Sequence, residues 1–350
     1  MKIASVGTAL PHDRYSQEAL LAAAQAAWAD KLAHPALLTQ LFQRTRVETR
    51  HIVLPLDQYY GLETFKQSND AWIEHAQQLG EQAICQALTR ANISKRDLGA
   101  MFFVSITGIA NPSIDARLIN RMSLPLELKR VPIFGLGCVG GAAGIARAAD
   151  YVRAFPDQAA VLLSVELCSL TVQKRNLSTQ NLIATALFGD GAAAVVVTGR
   201  DLGAAPGPQV VATLSSFYPD TEDVMGWDIT EQGFEIVLSR RVPTVVEQFL
   251  AADVQRFLAS QGLTRDDISS WIMHTGGPAV LEATARALGV PDSALAASWE
   301  CLRRIGNLSS ASVLFVLEDV MRNHKSERGS YSLLAAMGPG FCAELVLLQW

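Results

Sequence analysis

The sequence has few charged residues and no long apolar run. Only 18% of its 350 residues are charged, and 34 acidic against 29 basic side chains give a formal net charge of −5. A general nucleic-acid-binding protein carries a basic face, so this balance argues against a nucleic-acid partner. No stretch approaches the ~18 apolar residues that cross a membrane, and the first residues are too short in apolar content for a signal peptide. These absences predict a cytoplasmic protein without a membrane partner.

Cysteine is also sparse. The five cysteines are scattered along the chain, with no CxxC pair and no dense spacing. The pattern therefore predicts neither a zinc site nor a disulfide framework. Dispersed cysteines in odd number are most simply interpreted as reduced cytosolic thiols, and no metal is expected.

Apolar residues make up 49% of the chain, and their arrangement predicts an α/β fold. Short runs that are apolar on both faces are typical of strands in a sheet covered on both sides, and helical spacing appears between these runs. The predicted strands cover the first residues, 100–105, 131–136, 159–165, 192–197, 271–273, 332–336 and 341–348. The predicted helices cover 140–153, 279–288 and 309–322.

A composition break past the middle divides the chain. Residues 199–208 are rich in Gly, Ala and Pro and show no apolar periodicity. The segments on either side have the same α/β style, with helices layered against sheets. We therefore predict two related lobes, residues 1–200 and residues 201–350.

Cys138 is the first candidate for chemistry. It lies between an apolar strand and an Ala-rich helix, in Gly137-Cys138-Val139-Gly140-Gly141. The glycines allow a tight turn and the close approach of a substrate. At a helix amino terminus, a cysteine meets the positive end of the dipole, which favours the thiolate. A small core cysteine is the alternative. Cys168, which follows another strand, is expected to line a cavity or to pack in the core.

Three further turns lie at the ends of apolar elements. His274 ends a strand and precedes a Gly-rich turn, where the active sites of α/β proteins collect, although a structural histidine is the alternative. Asn307 opens a buried helix, so its amide needs partners; these are a ligand or, alternatively, the helix it caps. Gly338-Pro339-Gly340 is a rigid turn between strands. Because Cys138 lies in the first lobe and His274 and Asn307 in the second, the sequence predicts a site at the lobe junction.

Taken in order, these motifs resemble the type III polyketide synthases, the chalcone-synthase-like enzymes of the thiolase fold. The matching segments are 130–131, 135–141, 148–150, 164–168, 187–192, 274–278, 306–311 and 338–340. The resemblance implies a thiolase-like α/β fold with αβαβα layers. It also implies a homodimer that takes acyl-CoA and malonyl-CoA as substrates and needs no cofactor.

The resemblance further implies a catalytic triad of Cys138, His274 and Asn307. The Cys138 thiolate would attack an acyl-CoA thioester and hold the starter. His274 and Asn307 would donate hydrogen bonds to the thioester oxygen of malonyl-CoA as it loses carbon dioxide. The resulting carbanion would attack the acyl-cysteine in a Claisen condensation, and repeated rounds would end in cyclisation.

Other positions match the substrate cavity of the family. Phe188 matches a gatekeeping Phe between the CoA tunnel and the cavity, and Ile236 stands where plant members carry a second one. Trp227 replaces a small residue of the cavity wall. Both departures resemble the bacterial branch that makes alkylpyrones or alkylresorcinols, so a fatty acyl starter is predicted. Cys168 and Gly338-Pro339-Gly340 are expected to line the same site.

Arg44, Arg46, Arg50 and His51 cluster in a chain with few charges, near where the family binds CoA. They are predicted to contact the CoA phosphates, and a solvated surface is the alternative. Asn111 stands where plant members place a Met that reaches into the partner's cavity.

Two other functions fit parts of the pattern. A ketoacyl synthase that initiates fatty-acid synthesis shares the Cys-His-Asn triad, but its usual His-Gln-Ala-Asn differs from His274-Thr275-Gly276-Gly277. Such an enzyme would require an acyl carrier protein. The other alternative is a non-catalytic acyl-binding protein on the same scaffold, against which the intact triad argues.

Overall fold

The computed structural model describes residues 1–29, 31–32, 35–203, 207–323 and 327–350. The strands are β1 (Lys2–Ala9), β2 (Arg14–Ser16), β3 (Thr49–His51), β4 (Leu98–Val104), β5 (Lys129–Ile133), β6 (Ala159–Leu167), β7 (Asp190–Thr198), β8 (Gln209–Phe217), β9 (Met225–Thr230), β10 (Gly233–Leu238), β11 (Ile268–Met273), β12 (Tyr331–Gly338) and β13 (Cys342–Gln349). The helices are α1 (Gln17–Trp28), α2 (Pro35–Arg44), α3 (Leu56–Tyr59), α4 (Phe65–Ala91), α5 (Ile114–Met122), α6 (Gly140–Ala154), α7 (Thr179–Leu187), α8 (Val242–Ala259), α9 (Pro278–Leu288), α10 (Ala296–Ile305) and α11 (Ser312–Asn323).

Strands from both halves of the chain form one mixed sheet, in the order β11-β12-β13-β8-β1-β7-β6-β4-β5. In the first half, β1 is antiparallel to β7 and β7 to β6, whereas β6, β4 and β5 are parallel. In the second half, β8 is antiparallel to β13 and β13 to β12, whereas β12 and β11 are parallel. The order and sense of β1-β7-β6-β4 therefore recur in β8-β13-β12-β11, and the pairing of Lys2 with Gln209 joins the two halves.

Two helices form a central layer between the halves. Helices α6 and α11 pack against strands of both halves, in an apolar cluster that includes Leu162, Val195, Leu334 and Val346. Helix α4 covers the other face of the first-half strands, and α8 and α9 cover that of the second-half strands. The layers therefore follow the predicted order, αβαβα.

The doubly covered strands explain the high apolar content. Every residue of β6 and of β7 is buried, which confirms the strands predicted over 159–165 and 192–197. Each fully buried Val or Leu side chain contributes about 1.5–3 kcal/mol. Small residues bring α6 close to its neighbours: a Cβ on Gly141 would lie 2.2 Å from the Ser310 carbonyl oxygen.

One predicted strand differs in its environment. The apolar run 131–136 predicts a buried strand, but β5 lies at the sheet edge and is mostly exposed, with Val131 at 38%. Among the described residues, strand β5 pairs only with β4, and the chain leaves the sheet before Phe134, which is 50% exposed. An apolar run does not distinguish a strand covered within its own chain from an edge strand, so this prediction of burial is wrong.

The composition break predicted over 199–208 lies between β7 and β8, and its residues 204–206 lie outside the described residues. Within the described ranges, no helix combines the length and apolar character needed to cross a membrane.

Candidate active site

Cys138 lies in a tight turn that joins β5 to α6. The turn is a 3₁₀ helix of Gly137–Val139, and Gly140 begins α6 directly after it. Gly137 has a φ of 52° and packs so closely on Pro339 that a Cβ would lie 2.8 Å from Pro339 Cδ. Only glycine fits that position without strain. The turn presents the Cys138 side chain, which is 6% exposed, to the amino terminus of α6.

The electrostatic setting of Cys138 differs from the sequence expectation of a favoured thiolate. Burial raises the pKa of the Cys138 thiol to about 12, and the hydrogen bond with Ser309, 3.7 Å from Sγ to Oγ, opposes this rise. Because burial outweighs the helix amino terminus, the thiol stays protonated near neutral pH unless a base accepts its proton.

His274 is buried with both ring nitrogens unpaired. It follows β11, and its backbone N–H donates to the Ala335 carbonyl oxygen at 3.0 Å. Neither Nδ1 nor Nε2 has a hydrogen-bond partner among the described residues, although the side chain is buried. Burial lowers the pKa of His274 to about 4, so the ring is neutral at pH 7. A neutral imidazole offers one donor and one acceptor to a ligand.

Asn307 is held so that its amide nitrogen is the group left for a ligand. Its backbone N–H donates to the Leu187 carbonyl, and its carbonyl accepts from the Gly189 N–H, both at 3.0 Å. Its side-chain Oδ1 accepts from Ser309 N–H at 2.8 Å and from Ser312 Oγ at 3.2 Å. These two donors fix which way the amide points, which is useful in a site that must donate hydrogen bonds.

Two cavities meet at Cys138. The smaller, of about 40 Å³, is lined by Cys138 together with His274 and Asn307. The larger, of about 210 Å³, starts at Cys138 and extends towards α1, α2 and α7. Phe188 lines both cavities, as do Met225 and Leu238. The structure therefore brings the three predicted catalytic side chains to one place, with Phe188 between the two spaces.

The larger cavity collects most of the predicted cavity residues: Phe188, Ile236, Trp227, Cys168 and Pro339. The Trp227 indole is fixed, because its Nε1–H donates to the Ile106 carbonyl at 3.1 Å. Cys168 is buried, and burial raises its pKa.

The two glycines that flank Pro339 are not among the residues that line these two cavities, and their predicted place in the substrate site stays a prediction. A Cβ on Gly338 would lie 2.7 Å from the Val139 backbone nitrogen, and one on Gly340 would lie 3.3 Å from Phe217. These glycines let the β12–β13 turn press against the Cys138 turn.

The predicted cationic cluster separates into different environments. Arg44 is exposed at the end of α2. Arg46 is exposed, pairs with Glu282 on α9 at 2.8 Å and lies over the Trp299 ring. Arg50 is buried, at 3% exposure, and donates to protein groups. Arg50 also lines the larger cavity, so its predicted contact with CoA stays a prediction.

Sequence reasoning missed two polar residues of the site. Ser309, with a φ of 48°, contacts Cys138 from the second half. Glu166 is fully buried and accepts hydrogen bonds from the Ile106 N–H, Thr107 and Ser310, and burial raises its pKa to about 7. A single carboxylate inside the apolar strand β6 was the available signal.

Among the described residues, no three His, Cys, Asp or Glu side chains are grouped so that they could hold a metal ion. The expectation that the protein needs no cofactor stays a prediction.

Comparisons with known proteins cover the whole chain. Family models for the N-terminal and C-terminal domains of chalcone and stilbene synthases match residues 1–201 and 209–350. The 1,3,6,8-tetrahydroxynaphthalene synthase of Streptomyces peucetius subsp. caesius is 51% identical over 350 residues, which cover 99% of this chain and 93% of the relative. The putative chalcone synthase of Bacillus subtilis (strain 168) is 37% identical over 358 residues, 99% of this chain and 98% of the relative.

A solved structure shares the fold. The crystal structure of the 1,3,6,8-tetrahydroxynaphthalene synthase of Streptomyces coelicolor A3(2), a bacterial type III polyketide synthase, superposes with a TM-score of 0.95. The two sequences are 32% identical, and the match covers 100% of this chain and 99% of that one. The predicted thiolase-like α/β fold is confirmed.

Proposed function

The chain belongs to the chalcone and stilbene synthase family and is a type III polyketide synthase, and we propose that Cys138, His274 and Asn307 carry its reaction. The observation that supports this best is the position of Cys138 where the two cavities meet. One cavity holds the unpaired imidazole and the oriented amide, and the other offers a largely apolar space. A thiol at such a junction can take an acyl group from one side and hold the growing chain in the other.

Starter loading requires a base, because the Cys138 thiol is neutral. Neutral His274 accepts the thiol proton, and the sulfur attacks the thioester carbonyl of the starter. The carbon–sulfur bond to CoA breaks, and the proton passes from His274 to the leaving CoA thiolate. The products are acyl-Cys138, free CoA and a neutral imidazole, ready for the next step.

Chain extension uses His274 and Asn307 as hydrogen-bond donors. When malonyl-CoA loses carbon dioxide, negative charge collects on its thioester oxygen. One N–H of His274 and the amide N–H of Asn307 are proposed to stabilise that charge, and little water competes for it because both residues are buried. The carbanion attacks the acyl-Cys138 carbonyl, a carbon–carbon bond forms, and the Cys138 thiolate leaves to be reloaded.

We propose that the product is 1,3,6,8-tetrahydroxynaphthalene or a closely related polyhydroxylated aromatic. This rests on the relative of that name, which is 51% identical over nearly the whole chain. A naphthalene skeleton has ten carbon atoms, so five two-carbon units complete it without a different starter. Malonyl-CoA is therefore proposed as both starter and extender.

The test supplies uniformly ¹³C-labelled malonyl-CoA alone and analyses products by mass spectrometry. We expect an aromatic product with every carbon labelled, formed without an acyl carrier protein. Cys138→Ala should abolish product and labelled acyl-enzyme, whereas Cys85→Ala, which changes an exposed cysteine, should leave both intact. A strict need for a carrier protein would favour the ketoacyl synthase instead, and failure to decarboxylate malonyl-CoA would favour an acyl-binding protein.

A fatty acyl starter is the second candidate, and the shape of the larger cavity favours it. That cavity extends from Cys138 to an apolar wall that includes Leu20, Ala24 and Trp28 of α1. Such a wall can hold an alkyl chain. A starter panel from acetyl-CoA to long-chain acyl-CoA decides between the candidates: a product that always carries the unlabelled alkyl starter, with none from malonyl-CoA alone, supports the second.

We also propose a homodimer built on the β5 edge. Val131 on β5 and Phe134 after it are exposed, and Ile109 and Asn111 are exposed in the segment after the adjacent strand β4. Exposed apolar groups beside an unpaired strand edge favour pairing with a second copy.

Arg44 and Arg46 are the exposed cations that we keep as candidates for contact with the CoA phosphates. A cytoplasmic location stays a prediction.

A further inference from the structure

We infer that Arg50 is a positioning residue, which holds Phe188 and Asn307 in their working places at the junction of the two cavities. The inference rests on the proposed roles of these two residues in polyketide synthesis. Arg50 itself does not touch the reacting atoms. It acts through the backbone of the segment that ends α7 and through the turn that precedes Asn307.

The guanidinium of Arg50 donates hydrogen bonds from two of its nitrogen atoms, Nη1 and Nε. Its Nη1 donates to the carbonyl oxygen of Thr185 at 2.6 Å and to that of Phe188 at 2.8 Å. Its Nε donates to Gln17 Oε1 at 3.2 Å. Hydrogen bonds from a charged donor are roughly twice as strong as neutral ones, so these contacts restrain the backbone that they reach.

These contacts lie at the end of α7, where a helix leaves carbonyl groups without partners. Thr185 is in the last turn of α7, which ends at Leu187, and Phe188 follows in an extended conformation. A cation at a helix carboxyl terminus satisfies such carbonyls and the negative end of the dipole. By fixing the Phe188 carbonyl, Arg50 limits where the Phe188 ring can stand between the two cavities.

The aliphatic stem of Arg50 supports the other side of the junction. A Cβ on Gly306 would lie 3.1 Å from both Cγ and Cδ of Arg50 and 2.6 Å from the Leu187 carbonyl oxygen. The stem therefore packs against the residue directly before Asn307. Since the Asn307 N–H also donates to the Leu187 carbonyl, one side chain braces both the α7 end and the Asn307 turn.

The carboxylate of Asp190 favours the charged form of the buried Arg50 side chain. Asp190 is fully buried and accepts hydrogen bonds from the Val53 and Ser169 N–H groups. Burial lowers the pKa of Arg50 to about 10, so the guanidinium keeps its charge at neutral pH. A neutral side chain in its place would leave Asp190 without this cation as well as freeing the carbonyls.

The test compares Arg50→Met with Arg50→Lys, and uses Arg90→Met as the matched control. Arg90 also donates to a backbone carbonyl, that of Val6, and pairs with Glu318, but it lines neither cavity. For each variant we would measure kcat, normalised to the concentration of folded enzyme, and KM for malonyl-CoA. We would also measure the ratio of full-length to prematurely released products.

Arg50→Met is expected to lower kcat roughly 10- to 100-fold through misplacement of the reacting groups, with KM changed less than about threefold. Shorter products should gain share. Arg50→Lys should recover much of the loss, since an ammonium can donate to the same two carbonyls. Arg90→Met should keep the wild-type product ratio, because a general loss of stability does not change it.

Coupling to Phe188 separates positioning from a merely structural role. If Arg50 acts on the product ratio through Phe188, adding Arg50→Met to Phe188→Leu should change that ratio little further. If the effects of Arg50→Met and Phe188→Leu on the product ratio multiply independently, the inference is overturned. It is also overturned if Arg50→Met has the same product ratio and kcat as wild type. If Arg50→Met does not fold, Gln17→Leu, which removes the Nε partner, is tested in its place. It should shift the product ratio in the same direction but by less. An unchanged product ratio in Gln17→Leu would then overturn the inference.

The wild-type enzyme separates the two levels of the proposal. If wild-type protein forms no polyketide from any starter, the proposed function fails. If it forms one and the Arg50 variants match it, only the positioning role fails.

Discussion

At the scale of single residues, the site depends on which polar atoms are already occupied. The Asn307 oxygen is held by two donors from its own turn, so only its N–H groups are offered to a ligand. Both nitrogens of His274 are free of partners among the described residues, so one can accept a proton while the other donates. Burial keeps Cys138 and His274 neutral, and this makes the base indispensable for loading.

The buried imidazole should make stability depend on pH. Folded protein keeps His274 neutral down to its pKa of about 4, whereas the unfolded chain protonates it near its ordinary value of 6.5. The unfolded state therefore binds more protons between these values, and stability falls as pH decreases through this window. In urea unfolding, we expect the free energy of unfolding of wild type to fall by about 2 kcal/mol more than that of His274→Gln between pH 7 and pH 5.

The comparison with His274→Gln isolates that one group. Burial raises the pKa of Glu166 to about 7 and that of Asp190 to about 6, which gives an opposite pH trend. Both carboxylates are present in wild type and variant, so their contributions cancel in the difference. A stability difference that is the same at pH 7 and pH 5 would show that His274 titrates as it does in water.

At the scale of elements, β5 and β11 are the two edge strands of the described sheet, and β5 is the more exposed of the two. In the part of the chain that the structure describes, strands β4 and β6 are hydrogen-bonded on both sides, whereas β5 pairs on one side only. Natural proteins protect exposed edges with charges, prolines or a partner. Pro132 and the basic Lys129 and Arg130 lie within β5, but Val131 and the following Phe134 remain apolar and exposed.

A charge at the centre of this edge should weaken the proposed dimer. Val131→Lys places an ammonium where a second β5 would pack, and burying it there without a partner is costly. In analytical ultracentrifugation over a concentration series, we expect wild type to sediment as a dimer and Val131→Lys to dissociate at least about tenfold more readily. Leu37→Lys on α2, also an exposed apolar position, should remain dimeric. A monomeric wild type would contradict the proposal.

At the scale of the whole molecule, the sequence predicts the layers and the three central residues but not every environment. Runs such as 159–165 report burial well because both faces are apolar. Gly-rich turns mark Cys138 and His274 because Gly137 and Gly277 adopt positive φ angles that favour glycine. Arg50 shows the limit: a basic residue near two exposed arginines has the same sequence pattern whether it meets solvent or two carbonyls 135 and 138 positions away. Contacts over such separations are set by tertiary packing.

The two lobes predicted from the composition break share one core, and this makes their independence testable. Part of that core joins α11 of the second half to β1 and β7 of the first, and Val316, Leu317, Val195 and Val6 belong to the same apolar cluster. A chain of residues 1–201 alone would expose this apolar surface, so we expect it to aggregate or to lack near-ultraviolet circular dichroism. Co-expression with residues 209–350 should restore a soluble complex with product formation, because Cys138 comes from one fragment and His274 from the other. Cooperative unfolding of the first fragment alone would show that each lobe holds a sufficient core of its own.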